Sequence, residues 1–197
     1  MSRSLPVILA CCVLACCMPA AAQDTDAWSF DPATLASSGS DLVLRAPDAS
    51  IDRLFQALHA SSQVPAESRA LCALFDPDAD RSLSGLNATV AQLGDDSRER
   101  FAGALTEVLI AGAQQSRQPY EPLAARQSLK AAGVTAAILH EGFVAGLNGE
   151  SNDPATRAAR CRSLRWLLES VQSQPPAERA AVTRYLLTEG LAQLTLD

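Results

Sequence analysis

The chain has 197 residues, with 22 acidic side chains against 16 lysines and arginines, and its net charge is −6. This acidic balance argues against nucleic acid and anionic lipid surfaces as partners, because both are bound through clustered Lys and Arg. Hydrophobic residues make up 48% of the chain and aromatic residues only 5%. The length suits a single domain, and its core has to be built mainly from Ala and Leu.

Residues 1–22 have the pattern of a secretory signal peptide. Arg3 gives a positive start, an apolar run extends from Leu5 to Cys17, and the small residues Ala20–Ala22 precede the expected cleavage site. The apolar run is too short to cross a membrane comfortably, and no second run of membrane length follows it. We therefore expect a periplasmic or secreted protein without a transmembrane segment in the mature chain.

An alternative signal lies within the same leader. Val13-Leu14-Ala15-Cys16 resembles the short motif that precedes the lipidated cysteine of bacterial lipoproteins. Leu14 departs from this motif, since a small residue is usual at that place. If the motif is used, Cys16 carries the lipid and the protein is anchored to a membrane.

The rest of the chain divides into an arm and a helical region. Residues 23–47 are mostly polar and small, and they are predicted to form a short extended N-terminal arm. Residues 48–197 carry apolar side chains at helical spacing, interrupted by turn signals. The predicted helices begin near Ser50, Pro65, Leu83, Asp95, Pro122, Val134, Pro154 and Pro176. Their number falls from eight to seven if the segments from Pro122 and Val134 are continuous.

Two of these helices have distinctive patterns. The helix from Pro154 has the most complete start, because Asp153 can accept hydrogen bonds as N-cap and proline needs no donor at the first position. Its arginines are the place to look for a local basic patch: Arg157, Arg160, Arg162 and Arg165. The helix from Val134 is predicted to have an apolar face made of Val134, Ile138, Leu139, Phe143 and Leu147.

The fold class follows from what the helical region contains and lacks. No run of alternating apolar and polar residues is long enough for a buried strand. Short connections between helices favour antiparallel neighbours. The sequence therefore predicts an all-α fold, a compact bundle of about seven or eight antiparallel helices that forms a single domain at 48–197.

Two of the six cysteines remain after the leader is removed. These are Cys72 and Cys161, and each lies on the apolar face of a predicted helix. Two cysteines in an oxidising compartment most often pair, so a disulfide bond is predicted between them. A buried pair of free thiols is the alternative. Two cysteines alone are too few for a tetrahedral zinc site.

Asp76, Asp78 and Asp80 alternate within the turn after the second predicted helix. Their spacing resembles the start of an EF-hand calcium loop, in which oxygens at positions 1, 3 and 5 face the ion. Arg81 stands where that loop needs glycine, and Asn87 stands where it needs a bidentate glutamate. The favoured interpretation is an acidic turn in which Asp80 caps the next helix. No metal or other cofactor is expected.

A candidate pocket involves His140, Glu141 and Glu107, all of which lie in apolar stretches. The pair His140-Glu141 begins like the zinc-protease motif, but Val144 stands where its second histidine should be. The favoured interpretation of His140 is a histidine at the border of the core. The alternative is a pocket in which His140 and one of the two glutamates bind a ligand or act as acid and base.

These features favour binding over catalysis. The sequence has no nucleophile elbow, glycine-rich phosphate loop or clustered metal-ligand spacing. We expect an exported, non-enzymatic helical protein that binds another protein in the bacterial cell envelope, as an immunity or inhibitor protein or as a secretion or assembly accessory. A basic partner would suit the acidic charge. The alternative is a small envelope enzyme or ligand-binding bundle that uses buried carboxylates or His140.

Overall fold

The structure, a computed structural model, describes residues 32–192, with only the backbone described for 32–37 and for Leu83. Within this range the chain is all-helical, as predicted, and has no β-strand. No helix in the same range is long and apolar enough to span a membrane. The predicted signal peptide at 1–22, the lipidation alternative at Cys16 and the first part of the predicted arm lie outside the described residues.

The described part of the chain contains nine helices, against the seven or eight predicted. They are α1 (Pro32–Arg45), α2 (Asp48–Ser62), α3 (Pro65–Ala73), α4 (Leu83–Val90), α5 (Asp95–Gln114), α6 (Pro122–Leu139), α7 (Phe143–Leu147), α8 (Pro154–Gln172) and α9 (Pro176–Ala192). The predicted start of α8 is confirmed. The carboxylate of Asp153 accepts hydrogen bonds from the N–H groups of Ala155 and Thr156 at 2.9 and 3.0 Å.

Helix α1 corrects the prediction that residues 23–47 form an extended arm. Residues 32–45 are helical, and the helix packs against α5 and α9. The close approach to α5 depends on Gly112, because a Cβ atom there would lie only 2.4 Å from the carbonyl oxygen of Leu42. The sequence of this segment is rich in Ser and Gly, which are weak helix formers. Tertiary packing, rather than local preference, therefore stabilises α1.

Helix α6 shows a second difference between the predicted and observed elements. It runs through Gly133, so the segments from Pro122 and Val134 are continuous, as the alternative count of seven helices had it, and there is no boundary at Gly133. The chain breaks instead after Leu139, and Gly142 has a φ of 83°. Glycine adopts this left-handed conformation without strain. The break at Gly142 separates the short helix α7 from α6.

The core consists of two clusters around α2, which packs against α3, α5, α8 and α9. The first cluster contains Val43, Ala46, Ile51, Val108 and Ala180. The second contains Phe55, Ala132, Val171 and Val182, with Leu129, Leu167 and Leu168 packed against it. Only one aromatic side chain takes part in these clusters. Small side chains allow the helices to approach closely, as the low aromatic content predicts.

A disulfide bond joins Cys72 to Cys161, as the sequence predicts. The two cysteines are 89 residues apart in the chain, and the bond connects the end of α3 to the middle of α8. A cross-link over a loop of this length restricts the unfolded chain. The chain-entropy model values that restriction at about 4 kcal/mol.

Replacing both Cys72 and Cys161 with alanine should lower the free energy of unfolding by about 4 kcal/mol, because the unfolded chain regains the entropy of the open loop. Urea denaturation of the full chain measures the difference. Wild-type protein under reducing conditions is the matched control and should behave like the double variant. Equal stability of the oxidised wild type and the double variant would show that the bond has no stabilising role.

The guanidinium group of Arg184, in α9, is the centre of a buried polar network. The side chain is 1% exposed. Its Nε and Nη2 atoms donate to the carbonyl oxygens of Val43 and Ala46 at 3.1 and 2.6 Å, at the C-terminal end of α1. Its Nη1 atom pairs with Asp48, at the start of α2, at 2.8 Å. A cation at the C-terminal, carbonyl end of a helix stabilises that helix. The single side chain of Arg184 thus connects α9 to α1 and α2.

Replacing Arg184 with methionine should lower the free energy of unfolding by roughly 2–5 kcal/mol, since each buried acceptor that loses its donor costs about 1–3 kcal/mol. The loss arises because the carbonyl groups of Val43 and Ala46 stay buried without a donor. Replacing Arg53 with methionine is the matched control. The side chain of Arg53 is 66% exposed and pairs with Glu107 at the surface, so the cost there should be below about 1 kcal/mol. Chemical denaturation of both variants tests the contrast, and similar costs would contradict it.

Candidate functional site

Large apolar side chains are exposed on the C-terminal half of α6 and on α7. The α6–α7 patch comprises Val134, Ile138, Leu139 and Val144, which are 51%, 78%, 66% and 55% exposed. Val134 and Ile138 are neighbours on the helix surface, since they are four positions apart. Isolated apolar residues are ordinary on a protein surface, whereas a group of large ones marks an interaction site.

The patch arises because α6 packs on the core through small side chains. Ala125, Ala132 and Ala136 are buried, at the spacing of one helical face. The sequence predicts instead an apolar face that includes Val134, Ile138 and Leu139, and this prediction is wrong for the three residues. The alanine face allows α6 to approach α8 and α9 closely, so the large side chains point away from them.

His140 lies at the end of α6 and stacks on an aromatic side chain of α8. The ring centres of His140 and Trp166 are 4.5 Å apart, and the two rings are nearly parallel. The guanidinium carbon of Arg162 lies 5.9 Å from the centre of the same Trp166 ring, within the range of a cation–π contact. His140 is half-buried. This position agrees with a histidine at the border of the core.

The structure does not bring His140 and Glu107 together. Glu107 lies on α5, where it accepts a hydrogen bond from the hydroxyl of Ser50 at 3.0 Å and pairs with Arg53. His140 contacts α8, and Glu141 is exposed in the turn that follows. Glu107 is thus engaged by α2 side chains and His140 by an α8 side chain, so the two residues have separate contacts.

The acidic turn after α3 is occupied by arginine contacts. Asp76 pairs with Arg160 and, at 3.3 Å, with Arg157, while Asp78 lies 3.6 Å from Arg157. Asp80 accepts a hydrogen bond from the N–H group of Ser82. No group of three or more His, Cys, Asp or Glu side chains in residues 32–192 is arranged to hold a metal ion. The calcium interpretation of the three aspartates therefore gains no geometric support.

The cap of helix α4 also differs from the prediction. Its N-cap residue is Ser82, whose hydroxyl oxygen accepts a hydrogen bond from the N–H group of Gly85 at 3.1 Å. Asp80, the predicted cap, instead accepts a hydrogen bond from the N–H group of Ser82. The hydroxyl and N–H groups of Ser82 lower the pKa of Asp80 because they donate to its charged form.

The arginines of α8 divide into a structural residue and a group that faces a cleft. Arg160 is buried and donates to Asp76 and to the carbonyl oxygens of Gly149 and Ser151. Arg157, Arg162 and Arg165 line a cleft between α3 and α8 together with Arg69, which the sequence analysis missed. Arg69 lies three positions before the cross-linked Cys72, and this helical spacing is the signal that places both on one face.

Glu67, at 7% exposure, is the least exposed carboxylate within residues 32–192, and no sequence signal separates it from the other acidic residues. Its two oxygens accept hydrogen bonds from the hydroxyl of Ser97 at 2.6 Å and the N–H group of Gly94 at 3.1 Å. Gly94 is the N-cap of α5 and has no side chain to satisfy the helix start. The carboxylate of Glu67 performs that role from α3. The hydroxyl of Ser97 is the main reason that the pKa of Glu67 is lowered.

Comparison of the chain with protein-family models, curated proteins and solved structures finds no significant match. The functional interpretation therefore depends on the chain itself. This functional interpretation is based on two surfaces, the α6–α7 patch and the arginine-lined cleft between α3 and α8.

Replacing Glu67 with glutamine should reduce stability at neutral pH and flatten its dependence on pH. The pKa of Glu67 is lower in the folded protein than its ordinary value of 4.5 in the unfolded chain. The ionised carboxylate therefore stabilises the fold at pH values above 4.5. This contribution is lost as the pH falls through the folded pKa. Urea denaturation between pH 7 and pH 3 measures the effect. Glu99, an exposed residue of α5, gives the control variant Glu99→Gln, and equal pH profiles for the two variants would contradict the assignment.

Proposed function

We propose that this chain is an exported, non-enzymatic helical protein that binds another protein in the bacterial cell envelope, and that the α6–α7 patch is its contact surface. A role as an immunity or inhibitor protein, or as a secretion or assembly accessory, fits this proposal. The exposure of large apolar side chains on α6 is the observation that carries it. Such side chains contribute to binding when a partner removes them from water.

The energetic argument concerns Ile138 and Leu139, which are 78% and 66% exposed. Burial of one such side chain is worth about 1.5–3 kcal/mol relative to full exposure. A few central residues commonly supply most of the affinity of a protein interface. Two adjacent residues of this kind can therefore act as the centre of an interface whose polar rim includes Glu141, the exposed residue that follows His140.

The charge of the chain adds a preference for the kind of partner. Its net charge of −6 favours association with a basic protein through long-range attraction. Charge complementarity of this type raises the rate of association more than the affinity. We therefore infer an apolar contact at the patch and a basic surface around it on the partner.

The alternative of a small enzyme or ligand-binding bundle that uses His140 has weaker support. Acid–base catalysis needs its groups within hydrogen-bond reach of one substrate. Glu107 is engaged by Ser50 and Arg53, whereas His140 stacks on Trp166. These separate contacts favour binding as the function.

The double variant Ile138→Asp, Leu139→Asp should lose its partner in co-purification from the envelope extract of the producing cell. Charges at these places have to be desolvated in an apolar interface, which lowers recovery at least roughly tenfold. The matched control is Leu109→Asp, Ile110→Asp on α5, where the side chains are 44% and 53% exposed. Thermal unfolding establishes that both variants fold. A stoichiometric partner that the α6 variant retains as well as the α5 variant would remove the patch from the proposal.

A further inference from the structure

The cleft between α3 and α8 has a volume of about 520 Å³. The disulfide bond between Cys72 and Cys161 lies in its wall, beside Ala73 and Ala158. These groups are apolar, and the cleft has the size of ordinary small-molecule sites. Its volume and position suit a ligand with an apolar part that contacts the disulfide region.

The positive charge of the cleft comes from four arginines, of which one has an acidic partner among the described residues. Arg157 pairs with Asp76 and Asp78. No carboxylate in the described residues lies within salt-bridge distance of Arg69, Arg162 or Arg165. Asp76, the acidic residue of the lining, is already paired with Arg157 and Arg160. An acidic chain thus concentrates uncompensated positive charge in one place.

Arg165 is the least exposed of the three arginines in the cleft lining that have no acidic partner in the described residues. The side chain is half-buried, and its Nε atom is buried without a hydrogen-bond partner in the described part of the chain. A buried donor that lacks an acceptor is costly. Arg162, three residues earlier on α8, adds like-charge repulsion on the same helix. An anion in the cleft would relieve this repulsion and stabilise the cationic group of Arg165.

We propose that this cleft binds a small organic anion in which a phosphate or carboxylate group stands beside an apolar group. The planar guanidinium group matches both anions through paired N–H donors. Arg69, Arg162 and Arg165 hold the anionic group, and the disulfide with Ala73 and Ala158 contacts the apolar part. No residue of the α6–α7 patch lines the cleft. Arg162 is the point of contact between the two regions, because its guanidinium group also lies over Trp166, which stacks on His140.

Isothermal titration calorimetry of the full chain in low-salt buffer tests the proposal with three probes, namely inorganic phosphate, phenyl phosphate and phenylacetate. We expect saturable binding of phenyl phosphate or phenylacetate at one site, in the millimolar range or tighter. The preferred organic probe should bind roughly tenfold more tightly than inorganic phosphate, because its ring buries apolar area. The organic probe that binds more tightly identifies the preferred anionic group, phosphate for phenyl phosphate and carboxylate for phenylacetate. The absence of saturable binding for both would overturn the proposal.

Charge removal in the cleft provides the second test. The triple variant Arg69→Gln, Arg162→Gln, Arg165→Gln should weaken binding of the preferred probe by roughly tenfold or more, since each lost hydrogen bond to a charged group is substantial. The matched control is Arg117→Gln, Arg126→Gln, Lys130→Gln, which removes the same charge from exposed positions outside the cleft lining. Equal affinities in the two triple variants would overturn the proposal.

A single variant keeps this test decisive if the triple variant fails to fold. Arg69 is exposed, so Arg69→Gln should leave the helical circular-dichroism signal and the unfolding midpoint unchanged. It should still weaken binding of the preferred probe several-fold. Unchanged affinity in this folded variant would contradict the role of Arg69 and with it the proposed site.

Discussion

The buried guanidinium group of Arg184 is the interaction on which the arrangement of the N-terminal helices depends. It satisfies the carbonyl groups of Val43 and Ala46 and pairs with Asp48. These contacts fix the end of α1 and the start of α2 against α9. Val43 and Ala46 are also members of the first core cluster, so the polar contacts and the apolar packing position the same segment. Loss of the cation would remove the donors that satisfy these two buried carbonyl groups.

The disulfide bond fixes a second region of the molecule, where α3 meets α8. Cys72 and Cys161 fix two helix faces that carry arginines, and the cleft lies between these faces. Arg160 has a structural role. It pairs with Asp76 in the turn after α3, and it donates hydrogen bonds to carbonyl groups of the segment before α8. Arg162 and Arg165, on the same helix, have no carboxylate partner among the described residues. One helix therefore combines a structural cation with cations that can recognise a ligand.

Helix α6 suggests how stability and binding are divided between two faces. Its alanines pack inward, while Ile138 and Leu139 remain exposed. For stability alone, the larger side chains would contribute more if buried, because burial free energy increases with apolar area. The observed orientation places the larger apolar side chains on the surface that we propose for the partner. Trp166 and His140 support the same end of the helix by stacking.

The sequence by itself determined the features that depend on a few neighbouring residues or on simple counting. The cap at Asp153 and the helical class follow from local hydrogen-bonding chemistry and apolar spacing. The Cys72–Cys161 pairing follows from the position of these two cysteines on apolar helical faces. Only the tertiary structure decided that 32–45 is helical, that the alanine face of α6 is buried, and that Glu67 satisfies the start of α5. Each of these depends on groups far apart in the chain, and local patterns carry no information about which distant surface a helix will meet.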